Sequence, residues 1–338
     1  MEPLELGAVT LYPFGAAVAA ALAAGAVWSL RNAAGPRQRK TLEIFWLAAL
    51  PLGLFLAHLG WCLSNLDMIE DEFLEVLCNF PEGGYLIYGA LAGAAAALGI
   101  ACRITGERYA YTADWLAGPL LLLGAVCALG EGLIGGGYGW KVEDWFLAEN
   151  GMSLFATEEP GALTEFFSRF PFALRDAFYG YANWAVFLPV GLGLLVGIWG
   201  LSRLKDTATA GNEAIFSLSL YAAVRIFYES LRQDDIPKWG FVRVNQVLSA
   251  VLLLVLVILC ARSSGEQAWP SWVLLLTGAA MVAAMEFALE DKILEGLTMD
   301  VCYVITAAGC CMMYLSVSRL RKLRLNPKRL AGIRRMTA

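Results

Sequence analysis

Apolar side chains fill ten consecutive positions in Val251-Leu252-Leu253-Leu254-Val255-Leu256-Val257-Ile258-Leu259-Cys260, inside a longer apolar stretch at about 241–261. About 20 apolar residues are enough to cross the hydrocarbon core of a bilayer as a helix. The stretches of this kind run at about 8–30, 42–64, 84–103, 112–134, 182–201, 213–231, 241–261, 271–289 and 300–318. The sequence therefore predicts an all-α fold, a polytopic membrane helix bundle with about nine transmembrane helices.

The composition agrees with a membrane protein. The chain has 338 residues, of which 59% are hydrophobic and 16% charged, and its mean hydropathy is +0.60. An ordinary soluble domain is about a quarter charged, so a soluble enzyme, a disordered chain, a coiled coil and a disulfide scaffold are excluded. With no CxxC motif and one histidine, we expect no zinc or other metal site. We also expect no cofactor and no nucleic-acid partner. Seven of the eight cysteines adjoin apolar stretches, and we interpret them as small buried residues.

Lysine and arginine are distributed unevenly between the two sides of the predicted bundle. The loops after the first, third, fifth, seventh and ninth spans carry 17 of them, the opposite loops carry seven, and Arg225 lies within a span. Positively charged loops remain on the cytoplasmic side of a membrane. The distribution predicts an N-terminus outside and a C-terminus in the cytoplasm, with a basic tail that lies against anionic lipid.

One long loop, residues 135–181, is predicted to lie outside. Eleven aromatic residues fall within the forty residues from Trp145 to Trp184, whereas aromatic residues make up 12% of the whole chain. Because Trp and Tyr favour the headgroup layer, we interpret this loop, called the arm below, as an interfacial segment with a short helix at about 161–178. A compact loop packed on the helix bundle is the alternative.

The sixth predicted span carries charged side chains, and a charge at the bilayer centre costs roughly 2.5–3.5 kcal/mol on insertion scales. Four polar residues of this span lie on one helix face, because they are spaced four, four and three residues apart: Tyr221, Arg225, Glu229 and Arg232. A guanidinium group has the forked donor geometry that suits phosphate. This polar stripe predicts a site for a lipid phosphate that opens to the outside. A purely structural pair between Arg225 and Glu229 is the alternative.

Three other positions are candidates for the same site. Tyr88 has a hydroxyl group that needs a partner when buried and could donate to a headgroup. Gly89 and Gly93 form a small-xxx-small pair, for which helix packing is the favoured interpretation, although Gly89 is kept as a substrate-binding candidate. Glu131, in a glycine-rich helix end, is a candidate partner for Arg225 or a base, with a solvated helix end as the alternative.

At these residues the chain resembles the prolipoprotein diacylglyceryl transferase family. Residues 221–235 are similar to a late segment of that family, and Asn245-Gln246-Val247-Leu248-Ser249 looks like its Gly-Gln-x-Leu-Ser, with Asn in place of Gly. The glycines of the third span, Ala113-Asp114 and the glycine run after Leu129-Gly130 also stand where the family has such residues. The resemblance covers about residues 5–262, as seven helices in the same order.

The resemblance implies an enzyme that moves a diacylglyceryl group from phosphatidylglycerol to the lipobox cysteine of a preprolipoprotein. In that family the cysteine thiolate attacks a glycerol carbon, and glycerol phosphate leaves. The residues expected to be catalytic are Arg225, Tyr88 and Glu131. Those expected to bind the substrate are Tyr221, Glu229, Arg232, Gly89, Asn245 and Gln246.

The chain departs from the family at several polar positions. The family's histidine in the third helix falls on Tyr88, its signature arginine falls on Ala128, and the asparagine three residues later falls on Glu131. Its His-Pro-x-Gln-Leu-Tyr-Glu segment has no match in residues 178–184. Tyr88 and Glu131 are assigned as candidate bases because they stand where these polar residues are missing.

The resemblance divides the chain into two parts. Residues 1–263 are predicted to form the family's seven-helix core, and residues 264–338 add two transmembrane helices and the basic cytoplasmic tail. The implied location is the bacterial cytoplasmic (inner) membrane. A non-catalytic phospholipid-binding or scaffold relative is the main alternative, favoured by the missing arginine and the extra helices. A small-molecule transporter, which would need internal repeats or interrupted helices, ranks last.

Overall fold

The structure is a computed structural model of the chain. It describes residues 4–6, 9–69, 72–80, 84–147, 153–159, 161–175, 180–204, 209–234, 238–239, 242–262, 265–291 and 297–324. Parts of the arm and the predicted basic tail from residue 325 onward lie outside the described residues.

Helices dominate the described ranges, and short antiparallel ribbons connect some of them. In chain order the helices are α1 (Pro13–Asn32), α2 (Pro36–Ser64), α3 (Leu66–Ile69), α4 (Phe73–Cys78), α5 (Ile87–Thr105), α6 (Tyr109–Asp114), α7 (Ala117–Glu131), α8 (Val142–Phe146), α9 (Ala162–Phe167), α10 (Phe187–Ser202), α11 (Asn212–Leu231), α12 (Val244–Ala261), α13 (Trp269–Asp291) and α14 (Met299–Arg324). The ribbons pair β1 (Leu4–Leu6) with β2 (Val9–Leu11), β3 (Ala173–Arg175) with β4 (Ala182–Trp184), and β5 (Lys238–Trp239) with β6 (Val242–Arg243).

Eight of the predicted spans each overlap one helix of the structure, and the fourth is divided. Seven helices in the described part of the chain are long and apolar enough to cross a membrane: α1, α2, α5, α11, α12, α13 and α14. The other two, α7 and α10, are apolar but shorter, at 15 and 16 residues. The chain is therefore a polytopic helical membrane protein.

The fourth span, expected over 112–134, is interrupted. Helix α6 ends at Asp114, α7 begins at Ala117, and Gly132–Ile134 continues as a 3₁₀ turn. Pro119 lies in the first turn of α7, where its missing N–H costs no intrahelical hydrogen bond. Gly135 then takes a positive φ of 73°, which ends the helical segment.

The predicted arm helix over 161–178 was too long. The structure has only α9 (Ala162–Phe167) there, followed by turns and strand β3, while residues 176–179 lie outside its described part. Pro171 explains the early end, because a residue before proline is disfavoured in the helical region and proline lacks the donor. The arm has its own small core around Val142 and Phe146, and it also exposes aromatic rings such as Phe155 and Phe170.

Close helix contacts depend on glycine. A Cβ atom at Gly89 of α5 would lie 2.1 Å from the Leu56 carbonyl oxygen of α2, and one at Gly93 would lie 2.5 Å from that of Leu52. The favoured interpretation of this pair as a packing motif thus agrees with its contacts. Helices α13 and α14 cross in the same way, since a Cβ atom at Gly278 would lie 2.6 Å from the Gly309 carbonyl oxygen.

Helices α13 and α14 share one hydrophobic core with α11 and α12. Ile226 and Leu253 of the earlier helices are buried together with Met313 and Leu320 of α14. The helix α14 also runs beyond the predicted end at 318, and Arg321, expected to lie against lipid, is instead buried and donates to Asn212 Oδ1 at 3.0 Å. The two added helices are therefore packed against the rest of the bundle.

The cysteine prediction was partly wrong. All eight cysteines carry free thiols, and Cys62, Cys102, Cys260, Cys302 and Cys310 are buried. Cys127 is half-buried and Cys311 is exposed, so these two differ from the prediction.

We predict that Gly89→Ala destabilises the protein, because its methyl group would overlap the backbone of α2. Overpacking of this kind typically costs about 1–3 kcal/mol. Gly99→Ala is the matched control on the same helix, since nothing lies within 4 Å of the added carbon. Thermal unfolding in detergent, followed by tryptophan fluorescence, should show a lower midpoint for Gly89→Ala alone. Equal midpoints for the two variants would contradict the packing role.

Candidate functional site

The polar stripe of α11 faces the protein interior. Arg225 is 8% exposed and Glu229 is fully buried, and Arg225 Nη2 lies 2.6 Å from Glu229 Oε1 one turn along the helix. Tyr221 is buried on the same face. Spacing alone predicted this ion pair, because residues four apart meet on a helix surface.

Glu131, the last residue of α7, contacts both arginines. Its Oε1 atom lies 3.5 Å from Arg225 Nη1, and its Oε2 atom lies 2.7 Å from Arg232 Nη1. One carboxylate thus joins two guanidinium groups that are seven residues, or about two helical turns, apart at the end of α11. Of the two interpretations of Glu131, the partner of Arg225 agrees with these contacts and the solvated helix end does not.

Tyr228 lies between the two arginines, and the sequence analysis missed it. Its ring is fully buried, with Arg225 Cζ 5.1 Å and Arg232 Cζ 4.9 Å from the ring centroid. Its hydroxyl group donates to Glu131 Oε2 at 2.5 Å. Its position three residues after Arg225, on the same helix face, is the signal that would have identified it.

Asp234, two residues after Arg232, directs its side chain back to the site. It accepts hydrogen bonds from Arg232 and, at 2.9 Å, from the backbone amide of Gly137. Burial alone raises the pKa of Asp234, but the Arg232 guanidinium and the Gly137 amide outweigh it and hold the pKa below its ordinary value. Asp234 is therefore a carboxylate at neutral pH. We call Glu131, Arg225, Glu229, Arg232 and Asp234 the charge cluster.

The glycine run after α7 lets the backbone approach this cluster. Gly137 has a positive φ of 68°, and a Cβ atom there would lie 2.3 Å from the Tyr228 hydroxyl oxygen and 3.1 Å from Glu131 Oε2. No other residue type avoids both constraints. This explains why glycine is dense at this point of the sequence.

Helix α12 places two predicted residues beside the cluster, but their contacts differ. Asn245 Nδ2 donates to Glu229 Oε1 at 3.0 Å. Gln246 Nε2 instead donates to Ser230 Oγ at 2.9 Å and to Glu286 Oε1 of α13 at 2.8 Å, while its Oε1 atom accepts from the Arg243 amide. Its side chain therefore connects α12 to the added helices.

The two candidate residues on α5, Tyr88 and Gly89, make different contacts. The Tyr88 hydroxyl group makes a short hydrogen bond with Ser249 Oγ of α12, and the Tyr88 and Tyr221 rings are 6.4 Å apart. Gly89 lies against the α2 backbone, so the structure offers no contact with the cluster in support of its substrate-binding assignment.

Four side-chain atoms of this region are buried without a hydrogen-bond partner among the described residues. They are Tyr221 OH, Arg225 Nε, Glu229 Oε2 and Asn245 Oδ1. Leaving such groups unpaired is costly in an apolar environment. Together they offer donors for an anion and acceptors for hydroxyl groups, which is the pattern expected of a site that binds a polar ligand.

The cluster holds three carboxylates against two guanidinium groups. Glu131 contacts both Arg225 and Arg232 from another helix, whereas Glu229 contacts Arg225 from α11 itself and Asp234 contacts Arg232 from the turn after it.

Comparison with known proteins identifies a family. A family model described as prolipoprotein diacylglyceryl transferase matches residues 3–262. A phosphatidylglycerol–prolipoprotein diacylglyceryl transferase of Listeria innocua is 26% identical over 254 residues, which is 75% of this chain and 85% of that protein. The same-named protein of Geobacillus kaustophilus is 25% identical over 256 residues, covering 75% and 88%. That of Leifsonia xyli is 51% identical over 53 residues, or 16% of each chain.

We predict that Asp234→Asn lowers the unfolding free energy at pH 7 by about 1.5–3 kcal/mol, because a hydrogen bond to a charged group is lost. Since the folded pKa lies below the ordinary value, this contribution is complete above the unfolded pKa of about 4 and is lost only as the pH falls further. Chemical unfolding in detergent at several pH values should show a constant difference from pH 8 to 5 and a smaller one below. Asp144→Asn, in the arm, is the control, and a difference that vanishes between pH 8 and 6 would contradict the assignment.

Proposed function

The chain belongs to the prolipoprotein diacylglyceryl transferase family, and from this premise we propose that it transfers a diacylglyceryl group from phosphatidylglycerol to the cysteine thiol of a preprolipoprotein. The observation that carries the proposal is the convergence of Arg225 and Arg232 on one replaceable carboxylate, next to four unpaired polar atoms. Two guanidinium groups so placed suit the phosphodiester of the lipid.

Binding begins with an exchange of anions. The phosphodiester takes the place of the Glu131 carboxylate between the guanidinium groups of Arg225 and Arg232. The unpaired Arg225 Nε atom donates to a phosphate oxygen. Hydroxyl groups of the glycerol headgroup donate to Glu229 Oε2 and Asn245 Oδ1, whose other atoms are held by the protein.

The same exchange prepares a base. Once Glu131 is displaced from the two arginines, its carboxylate oxygens are free to accept a hydrogen bond from the cysteine thiol. It takes the proton of the cysteine thiol, and the thiolate attacks the carbon of the diacylated glycerol that is bonded to the phosphate oxygen. The carbon–oxygen bond breaks, a carbon–sulfur bond forms, and glycerol phosphate leaves with the additional negative charge on its phosphate, which the two arginines stabilise. Tyr88 is the second candidate for the base, through its hydroxyl group beside Ser249.

The proposal also includes the membrane topology of the chain and its division into a core and an added part. Helices α7 and α10 cross the membrane together with the seven longer helices, which gives nine spans in the inner membrane of a bacterium. The N-terminus then lies outside and the C-terminus lies in the cytoplasm. The charge cluster and the arm then lie at the outer leaflet. Residues 1–263 form the transferase core, with α13, α14 and the tail as an addition.

A non-catalytic lipid-binding relative is the second candidate. The observations that favour it are the excess of carboxylate in the cluster and the alanine at position 128. Such a protein would bind phosphatidylglycerol without turnover, so the assays below distinguish the two.

We predict that Arg225→Ala lowers transfer by roughly 100- to 1,000-fold, since it removes a charged donor from the leaving group. The assay combines purified protein, labelled phosphatidylglycerol and a lipobox peptide, and follows label on the peptide. Arg225→Lys should retain part of the activity, because it keeps the charge without the fork. Arg262→Ala, an exposed position at the end of α12, should match the wild type. Label on the peptide that is independent of Arg225, or no label with the wild type, would refute the proposal.

We predict that Glu131→Gln separates binding from transfer. The neutral amide no longer competes for the guanidinium groups, so phosphatidylglycerol should bind several-fold more tightly, while transfer falls by roughly 100- to 10,000-fold with the loss of the base. Lipid binding in detergent and the transfer assay measure the two effects, with Glu43→Gln as an exposed control. If Tyr88→Phe abolishes transfer and Glu131→Gln does not, Tyr88 is the base. Full transfer by both variants would exclude both residues.

A further inference from the structure

The arm covers a cavity of about 800 Å³ beside the first turns of α10. Its lining is almost wholly aromatic and aliphatic, and the side chains that define it are Trp145, Phe146, Phe167, Phe172, Trp184 and Leu192. We call this cavity the aromatic slot. Its volume is that of an ordinary ligand pocket. None of the five residues of the charge cluster lines it, so it is separate from the site described above.

The slot opens onto a surface suited to lipid. Leu192 lines it and is 54% exposed, and the same face of α10 continues with the exposed side chains of Leu195, Val196 and Trp199. These residues recur at helical spacing and form an apolar stripe along an apolar helix. An acyl chain that lies on this stripe would meet the slot at its end.

The slot also adjoins the charge cluster through the backbone. Leu231 lines the slot and directly precedes Arg232, and consecutive Cα atoms are about 3.8 Å apart. Gly139 also lines the slot, and its amide donates to the Trp184 carbonyl oxygen at 2.8 Å. It lies two residues after Gly137, whose amide donates to Asp234. A phosphate at the cluster and a hydrocarbon chain in the slot are therefore within reach of one lipid molecule.

Helix α14 holds the arm over the slot. Asp300 accepts hydrogen bonds from Ser153 Oγ and the Leu154 amide, each at 2.8 Å. The Tyr303 hydroxyl group accepts from Trp140 Nε1 at 2.9 Å, and its ring stacks on Trp145 with centroids 5.7 Å apart. The slot is thus a supported cavity, and one of its supports comes from outside the residues that the family model matches.

We propose that the aromatic slot binds one acyl chain of the phospholipid whose phosphate occupies the charge cluster; the location of that phosphate rests on the proposed function. An acyl chain brings no hydrogen-bond donors into an apolar cavity, whereas a peptide would bring backbone N–H groups that need acceptors. The carboxylate at the slot, Asp300, already accepts two donors. Trp184 Nε1 is buried without a partner among the described residues and suits the ester carbonyl oxygen of the lipid.

The test uses phosphatidylglycerol with a photoreactive diazirine near the end of one acyl chain, and the full-length protein in detergent. Leu192→Trp fills the mouth of the slot, and Leu195→Trp is the matched control, since it makes the same change on the same apolar stripe outside the slot. We expect labelled peptides from residues 140–192 in the wild type and in Leu195→Trp. In Leu192→Trp, this label and the affinity for long-chain phosphatidylglycerol should each fall roughly tenfold. Its affinity for dihexanoyl phosphatidylglycerol should be unchanged.

The outcomes separate the slot from the proposed function. Label on other helices while transfer persists would overturn the slot and leave the transferase intact. Label in the slot that Leu192→Trp removes, in a protein without transfer, would support the slot and refute the transferase. If a lipobox peptide whose cysteine is replaced by serine, and which has no thiol to accept the diacylglyceryl group, displaces the label from the slot in the wild type, the occupant is the peptide, and the acyl-chain proposal fails. Thermal unfolding of both tryptophan variants shows whether Leu192→Trp folds as its control does.

Discussion

The carboxylate of Glu131 is shared by two guanidinium groups, and the architecture of the site depends on this one contact. It joins the end of α7 to the end of α11, and Tyr228 and Gly137 are packed around it. In a medium of low dielectric such an arrangement is stable only when every charge is paired and hydrogen-bonded. Most charged atoms of the cluster meet this condition, but Arg225 Nε and Glu229 Oε2 have no hydrogen-bond partner among the described residues. These two atoms are where a polar ligand would complete the network.

Much of the fold could be predicted because a membrane-spanning helix needs a long apolar stretch, which can be read from the sequence. The apolar stretches of the sequence coincide with helices because twenty apolar residues have few other stable conformations in lipid. The interruption before Ala117 was missed because hydropathy does not record it, although Pro119, in the first turn of α7, is a helix-start signal in the sequence. In the arm, Pro171 was visible in the sequence, yet aromatic content alone suggested a longer helix.

The site was predictable where local geometry determines it. The face shared by Arg225 and Glu229 follows from helical spacing, and so does the position of Tyr228, which was overlooked. The return of Asp234 to Gly137 depends on how the chain turns after α11, and the engagement of Gln246 by Glu286 depends on a helix added beyond the family region. Both are tertiary contacts between segments far apart in sequence. A single sequence does not show which distant segments meet.

The ion pairs of α11 also bear on how the protein enters the membrane during synthesis. Arg225 has Glu229 one turn away, and Arg232 has Asp234 two residues away, so each cation brings its counter-ion within one continuous segment. Glu131 has no such companion on α7, and its partners are translated much later. Helix α11 can therefore leave the translocon with its charges compensated, whereas the end of α7 must remain near the aqueous boundary until α11 arrives to complete it.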